Sequence, residues 1–227
     1  MTRFFVPPGT TRDERVPLPA SIAHQVRRVL RLRDGERIVL LEGDGQEVRC
    51  RLDGDACVVE SRAAVAGEPR HRLTICPALI KGDGLEQVIR QGTEIGVAAF
   101  RLVVTQRCVV PSLSEHRLER LRAIAREAAE QSERGVVPPV AAPVPLAGVL
   151  SAASVLLYER HDGVRLGELP PAETLVIGPE GGFALDEVAL AQASGSTIAG
   201  LGPRILRSES VALAAASIVL SRAGDFA

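Results

Sequence analysis

Short runs in which apolar and polar residues alternate occupy much of the first 61 residues. The runs are RFFV at 3–6, RIVLL at 37–41, EVRCRL at 47–52 and ACVVES at 56–61. Turn signals such as DG and GDG separate them, and this spacing predicts the strands of a small antiparallel β-barrel or sandwich. A helix is predicted after Pro19, with one apolar face made of Ile22, Val26, Val29 and Leu30.

From residue 71 the pattern changes to apolar runs that alternate with stretches of helical periodicity. It predicts strands at 73–79, 100–106, 154–159, 174–178 and 197–202, and helices at 84–96, 114–133, 185–193 and 209–223. Apolar strands separated by helices are typical of a parallel sheet covered on both faces, so the class is α/β. The segment AVAGEPR at 64–70 is the expected connection, which gives predicted domains at 1–69 and 70–227.

Composition limits the classes of protein to consider. Of the 227 residues 46% are hydrophobic, which is enough for buried cores and excludes a disordered chain. No apolar run reaches the roughly 18 to 20 residues that span a bilayer, and the N-terminal residues lack a signal or transit pattern. We therefore expect a cytoplasmic protein without a membrane partner. Four cysteines contain no C-x-x-C pair, so we expect small buried side chains, no metal and no disulfide framework.

Basic side chains are concentrated near the N-terminus. The net charge is -1, but residues 1–37 carry eight arginines against four acids. Arginine suits bidentate contacts with phosphate, although high arginine usage is also typical of a GC-rich genome. An RNA-binding surface and a solvated helix face are both consistent with this pattern. The arginines assigned to RNA are Arg3, Arg27, Arg28, Arg31 and Arg33.

Two Gly-Pro dipeptides follow predicted strands near the end of the chain, in TLVIGPEGGF at 174–183 and in IAGLGPRILRSES at 198–210. Glycine lets backbone approach a ligand closely, proline stiffens the loop, and ligands of parallel sheets bind beyond the carboxyl ends of the strands. The two loops therefore predict one pocket. Neither contains G-x-G-x-x-G and the chain has no P-loop motif, so an ordinary dinucleotide or P-loop site is not supported.

Five segments carry a resemblance to a known family. They are RFFV with HQVRRVLRLRDGE, TEIGV at 93–97, AREAAEQSER at 125–134, IGPEGGF at 177–183 and LGPRILRSES at 201–210. In this order they resemble the 16S ribosomal RNA uridine-N3 methyltransferases of the SPOUT superfamily. The resemblance implies a PUA-like β-barrel that binds RNA, then a trefoil-knotted α/β domain that binds S-adenosylmethionine. It further implies a homodimer packed through the knot, and 16S rRNA or the small ribosomal subunit as substrate.

The same resemblance implies which residues hold the cofactor, largely through backbone groups of two loops. They are Leu157, Ile177, Gly178, Pro179, Glu180, Gly181, Gly182, Leu201, Gly202, Ile205, Leu206, Arg207 and Ser210. Uridine N3 must lose a proton before it accepts a methyl group, so positive charge near the ring would stabilise the anion. Arg207 and Arg134 are candidates for this role, and a salt bridge is the alternative for each. Glu180 is a candidate general base, with binding to a helix N-terminus as its alternative.

The chain departs from the family pattern at four places, which concern the substrate side more than the cofactor. They are Ser210-Val211 in place of Thr-Ala, Glu133 in place of glycine, Gln91 in place of lysine and Ala184 in place of a serine-like helix cap. Two other functions stay open at this stage. One is a ribose 2′-O methyltransferase of the same superfamily, and the other is a non-catalytic RNA-binding module whose pocket is vestigial.

Overall fold

The computed structural model describes residues 1–226, which form two compact units. The first contains Met1–Glu68 and Ala129–Val137, and the second contains the rest of the chain. Residues 129–137 lie outside the first predicted domain, 1–69, but they pack within the first unit. Ala129 and Val137 join the apolar cluster around Phe5, and Glu130 accepts a hydrogen bond from the Phe5 backbone N–H at 3.0 Å.

The first unit is built on one five-stranded sheet in the order β1-β3-β4-β5-β2. Its strands are β1 Thr2–Phe5, β2 Arg15–Pro17, β3 Arg37–Leu41, β4 Gln46–Asp53 and β5 Ala56–Ala64. The four predicted strands are confirmed, but β1 pairs with β3 in parallel, whereas an antiparallel sheet was predicted. Strand β2 was not predicted because three residues are too short to show alternation.

The helix predicted after Pro19 changes type within two turns. It begins as α1, Ala20–His24, and continues as a π-helix over Gln25–Val29. Ile22 and Val26 are buried as predicted, but Val29 is 64% exposed and Leu30 is 41% exposed. The prediction was wrong for these two because each π turn contains one more residue than an α turn, which rotates later side chains off the buried face.

The second unit contains a six-stranded sheet in the order β11-β9-β10-β6-β7-β8, with every pair parallel. Its strands are β6 Thr74–Pro77, β7 Ala99–Val104, β8 Val140–Pro145, β9 Ser154–Leu157, β10 Thr174–Ile177 and β11 Thr197–Ala199. The predicted parallel α/β sheet is confirmed. Strand β8 was missed because its prolines argue against a strand. It lies at the sheet edge, where a missing N–H is tolerated.

Four helices and two 3-10 turns complete the second unit and its connections. The helices are α2 Gly84–Glu94, α3 Glu115–Gln131, α4 Leu185–Ala193 and α5 Ser208–Arg222, and the turns are Leu146–Val149 and Leu166–Glu168. All four helices were predicted. A Cβ atom on Gly92, beside the unusual Gln91, would lie 2.8 Å from the Phe100 ring, so glycine allows α2 to pack on β7. Three cysteines are buried, Cys108 is partly buried, and all four are free.

Residues 1–226 contain neither a cluster of metal-binding side chains nor a helix that could span a membrane. In this part of the chain, no three His, Cys, Asp or Glu side chains form a group that could hold a metal ion. No helix in it has the length and apolar character needed to cross a membrane.

The carboxylate of Glu42 holds the loop after β1 in place. It accepts hydrogen bonds from the backbone N–H groups of Gly9 and Thr11, at 2.7 and 2.6 Å, and from the Thr11 hydroxyl at 2.7 Å. Burial acts to raise the pKa of Glu42, but these hydrogen bonds outweigh it, so the pKa lies below its ordinary value. Such a carboxyl stabilises the fold above its unfolded-state pKa and loses this contribution as pH falls through its folded-state pKa.

We expect Glu42→Gln to lower the midpoint of urea unfolding at pH 7, because the ionised acceptor is lost. The difference from wild type should shrink as pH falls below the unfolded-state pKa of about 4.3, because wild type then loses the stability that comes from its lowered folded-state pKa. Asp13→Asn, at an exposed carboxylate, is the control and should change little at either pH. A deficit of Glu42→Gln that stays constant down to pH 3 would contradict the argument.

Candidate active site

A cavity of about 720 Å³ opens at the carboxyl ends of β6, β9, β10 and β11. These four parallel strands are neighbours in the sheet, so the loops that follow them meet at one edge. The volume lies within the range of about 300–1,000 Å³ that is usual for small-molecule sites. Both Gly-Pro loops line the cavity, which confirms that the two belong to one pocket.

Most residues predicted to bind the cofactor are brought together here. Twelve of the thirteen line the cavity, and only Ser210, exposed on α5, does not. Leu157 and Ile177 are the last residues of β9 and β10, and they form an apolar floor of the cavity. Residues 178–182 and 201–207 form two of its walls. The contact of each residue with a cofactor stays a prediction.

The first Gly-Pro loop is a tight turn whose glycines face protein atoms as well as the cavity. The Gly182 N–H donates to the Pro179 carbonyl at 2.9 Å, and Gly182 has a φ of 67°. A Cβ atom on Gly182 would lie 2.6 Å from Oε1 of Glu159, and one on Gly178 would lie 3.1 Å from the Phe183 ring. A side chain at Gly182 would therefore be strained by the positive φ, and one at Gly178 would press on Phe183 within the same loop.

Two side-chain contacts tie this loop to its neighbours. Glu180 accepts a hydrogen bond from the backbone N–H of Lys81 at 2.9 Å, which joins the loops after β10 and β6. Arg107, after β7, donates from Nη1 to the Gly181 carbonyl at 2.9 Å. The Glu180 carboxylate is exposed and lines the cavity, so its structural partner is a neighbouring loop. Its role as a general base stays a prediction.

The side chain of Ala184 cannot cap α4, and Glu187, in the first turn of the helix, takes over this role. Glu187 is buried, and its two carboxylate oxygens accept hydrogen bonds from the backbone N–H groups of Ala184, at 2.9 Å, and Gln106, at 2.8 Å. One carboxylate thus satisfies the start of α4 and fastens the loop after β7 beside it. This explains why the departure at Ala184 is tolerated.

Removing the Glu187 carboxylate should therefore destabilise the second unit. We expect Glu187→Ala to lower the free energy of unfolding by about 1–3 kcal/mol, because two backbone N–H groups lose their acceptor. Glu187→Gln keeps one acceptor oxygen and should lose less. Urea unfolding of the two variants beside wild type measures both values, and equal stability of Glu187→Ala and wild type would show that water replaces the carboxylate at no cost.

The second Gly-Pro loop is mostly exposed. Gly202 has a φ of 113°, and Ile205 is 82% exposed. Arg204 and Arg207 are also exposed and line the cavity. Within residues 1–226 neither guanidinium makes a hydrogen bond or an ion pair, so the salt bridge considered for Arg207 is not formed. The positive charge of both side chains is therefore available to a ligand.

Arg134, the other predicted catalytic arginine, belongs to the first unit and does not line the cavity. Its side chain is only 3% exposed, and Nη2 lies 3.0 Å from Oε2 of Glu68. The same carboxylate accepts backbone hydrogen bonds from Gly135 and Val136 at 2.8 and 3.0 Å. These contacts give Arg134 a structural role of the kind considered as its alternative, although with a different acid, and a catalytic role stays a prediction.

The five arginines assigned to RNA fall into two groups. Arg3 is 10% exposed and donates to Glu47 and Glu133 at 2.8 and 3.0 Å. Arg27 donates to the Leu32 carbonyl at 2.9 Å, and also to Asp34 and the Gly54 carbonyl. Arg28, Arg31 and Arg33 are exposed, and their guanidinium groups make no contact within residues 1–226.

Several cavity residues were missed from the sequence, and three of them lie in the loop after β6. The larger groups among those missed are Ile80, Lys81, Asp83, Gln87, Tyr158, Glu159, Arg160, Ser208, Glu209 and Val211. The loop after β6 reads LIKGDG and follows a predicted strand, so the criterion that selected the Gly-Pro loops applies to it as well. Lys81 carries a second signal, because it is the only lysine in the chain.

The comparisons with known proteins define the class. A family model described as an RNA methyltransferase domain matches residues 67–220, and one described as an RNA methyltransferase PUA domain matches residues 20–60. Together with the cavity at the strand ends, these matches define an RNA methyltransferase with a PUA domain.

Individual relatives narrow this class. The chain is 36% identical to the ribosomal RNA small subunit methyltransferase E of Synechocystis, over 90% of this chain and 72% of that protein. It is 31% identical to that of Bacillus subtilis, over 96% of each. A crystal structure of the Neisseria gonorrhoeae protein, bound to S-adenosyl methionine, superposes with a TM-score of 0.88, at 28% identity and 97% coverage of both chains. The chain belongs to the ribosomal RNA small subunit methyltransferase E family.

Proposed function

We propose that this protein transfers a methyl group from S-adenosylmethionine to N3 of one uridine in 16S ribosomal RNA, in the cytoplasm. The observation that carries the proposal is the cavity at the carboxyl ends of β6, β9, β10 and β11. It is lined by both Gly-Pro loops, in a chain whose solved relative is bound to that cofactor. The substrate follows the family, whose members are named for the small-subunit ribosomal RNA.

The residues of the cavity fit this cofactor. Apolar side chains such as Leu157, Ile177 and Leu201 suit the flat adenine, and the backbone at Gly202 leaves space beside it. Carboxylates suit the ribose hydroxyls and the two positive charges of the cofactor. The carboxylates that line the cavity are Asp83, Glu159, Glu180 and Glu209. When bound, the cofactor supplies an electrophilic methyl group, and no metal is required.

The protein's own task is to orient the target uridine and to favour loss of its N3 proton. Arg207 lies on the loop after β11 with an unpaired guanidinium, so it suits the phosphate of the target nucleotide. The loop contacts made by Glu180, Arg107 and Glu187 fix the wall opposite, so the site is rigid before the substrate arrives. Rigid placement of the reactants accounts for a large share of such a rate acceleration.

The first unit supplies a surface for the RNA backbone. We assign phosphate contacts to Arg28, Arg31 and Arg33, because Arg3 and Arg27 already bind acids or carbonyls. Replacing these three by alanine should weaken RNA binding and reduce the slope of log K against log salt by about 0.7–0.9 per lost contact. Arg3→Ala should instead reduce stability. Filter binding between 50 and 200 mM salt measures the slope, and an unchanged slope would assign these arginines to a solvated face.

The proposal includes a trefoil knot in the second unit and a homodimer packed through it. Helix α5 supports a second copy, because its partly exposed positions include Leu213, Ala214 and Ile218, whereas a solvent-facing helix is polar on one side. Light scattering of the purified protein tests the dimer, and a monomer at micromolar concentration would contradict it.

Nucleoside mass spectrometry tests the reaction itself. Small ribosomal subunits from cells lacking this protein should lack one N3-methyluridine, and incubation with the purified protein and S-adenosylmethionine should restore it. A ribose-methylated product would assign the protein to 2′-O chemistry, and a protein that binds neither cofactor nor RNA substrate would be no methyltransferase. The nucleoside digest identifies the methylated product, and a parallel calorimetric titration measures binding.

A further inference from the structure

Lysine occurs once in this chain, and it lies in the cavity. Twenty-six of the 27 basic residues counted as Lys or Arg are arginine, and the exception is Lys81. Lysine carries a compact charge on a flexible stem, whereas arginine presents a planar fork that favours two acceptors at once.

The backbone around Lys81 is fixed while its ammonium is not engaged. The Lys81 N–H donates to Oε1 of Glu180 at 2.9 Å, which anchors the residue to the loop after β10. Within residues 1–226 the ammonium makes no hydrogen bond and no ion pair. The side chain is exposed and lines the cavity. A fixed stem with an unpaired charge is the arrangement expected of a group that meets its partner when a ligand binds.

Lys81 lies in the loop after β6, at the carboxyl end of that strand. β6 lies three strand positions from β11, a separation of about 14 Å at a spacing of about 4.8 Å. The residues assigned to the cofactor follow β9, β10 and β11, so the side of the cavity beside β6 is left for the substrate. Lys81 lies on this side of the cavity.

We propose that Lys81 is a catalytic residue whose ammonium donates a hydrogen bond to a carbonyl oxygen of the target uracil. The inference rests on the proposed methylation of uridine N3. In that reaction the N3–H bond breaks and the proton passes to water. The N3 electron pair forms the bond to the methyl carbon, and the carbon–sulfur bond breaks with its electron pair remaining on sulfur. Negative charge that develops on N3 is shared with both ring carbonyls, where a cation lowers its energy.

The test compares Lys81→Met with wild type on two RNAs, 16S transcripts that contain uridine or 5-fluorouridine. Fluorine makes N3 more acidic, so the anion needs less help from the protein. We expect Lys81→Met to slow single-turnover methylation of the uridine transcript by about 10²–10³-fold. The defect should be at least tenfold smaller on the fluorinated transcript and should also shrink as pH rises. Lys81→Arg should be slowed by about tenfold, because the fork fits one carbonyl poorly.

Two measurements without turnover accompany the rates. Calorimetric affinity for S-adenosylmethionine and the melting temperature should match those of wild type in both variants. Arg90→Met, at an exposed arginine of α2 that does not line the cavity, is the matched control and should leave rates and affinity unchanged. Loss of cofactor affinity in Lys81→Met would assign the ammonium to the cofactor carboxylate and overturn the proposal.

Equal slowing on both transcripts would also overturn it, because the contact would then be independent of the uracil charge. A fully active Lys81→Met would do the same. If the proposed methylation of uridine N3 is itself wrong, the result differs, because the wild-type enzyme would then give a product other than N3-methyluridine. If Lys81 alone is wrongly assigned, wild type still makes N3-methyluridine.

Discussion

Gly202→Val should reduce S-adenosylmethionine affinity by more than about 100-fold while the second unit stays folded. Gly202 lines the cavity with a φ of 113°, a conformation that a β-branched residue adopts only with severe strain. The cost of strain, about 1–3 kcal/mol, alone converts to roughly 5–150-fold in affinity if the loop must regain its shape on binding. The new side chain also occupies ligand space, since no atom other than Nη1 of Arg165, at 3.7 Å, approaches its Cβ position.

The chain offers a matched control for this substitution. Gly224 has a φ of 84° and open space around its Cβ position, and it does not line the cavity. Gly224→Val carries a comparable backbone cost without a ligand nearby, so its cofactor affinity should equal that of wild type. Calorimetry and a melting curve on both variants separate the effects. Unchanged affinity in folded Gly202→Val would place the cofactor elsewhere.

The elements of the second unit were largely predictable because they are short, buried and strongly patterned. Strands β6, β9 and β10 are apolar after a first Thr or Ser, Pro77 ends β6 and Gly178 follows β10, and α4 coincides with its predicted range. The cavity followed from one rule, that loops after neighbouring parallel strands meet. The same rule applied to the loop after β6 would also have found Lys81.

What the sequence did not reveal depends on contacts between distant residues. The turn to a π-helix after α1 and the parallel pairing of β1 with β3 leave no periodic signal. The acids that pair with Arg3 and Arg134 likewise cannot be read from spacing, because they come from distant parts of the chain, as does the Gly54 carbonyl that binds Arg27. The sequence identifies these side chains as basic, but only the fold shows which of them already bind an acid or a carbonyl.

Substitution of Arg207 should produce the second large effect, a slower methylation step. Its guanidinium is unpaired within residues 1–226 and lies in the cavity wall after β11. If it holds the phosphate of the target nucleotide, Arg207→Ala should slow single-turnover methylation at saturating RNA by about 10²-fold, because a misplaced reactant loses that much rate. Arg207→Lys keeps the charge and should restore RNA affinity. It should not restore the rate, since one ammonium cannot reproduce the two parallel hydrogen bonds of the fork.

The control for Arg207 is Arg72→Ala, at an exposed arginine of the same unit that does not line the cavity. It should leave both rate and cofactor affinity unchanged. In Arg207→Ala the affinity for S-adenosylmethionine measured without RNA should stay within about threefold of wild type, because an interaction made only with the substrate does not contribute to cofactor binding. A fall in cofactor affinity equal to the fall in rate would instead assign Arg207 to the cofactor. A fully active Arg207→Lys would show that a single positive charge is sufficient at this position.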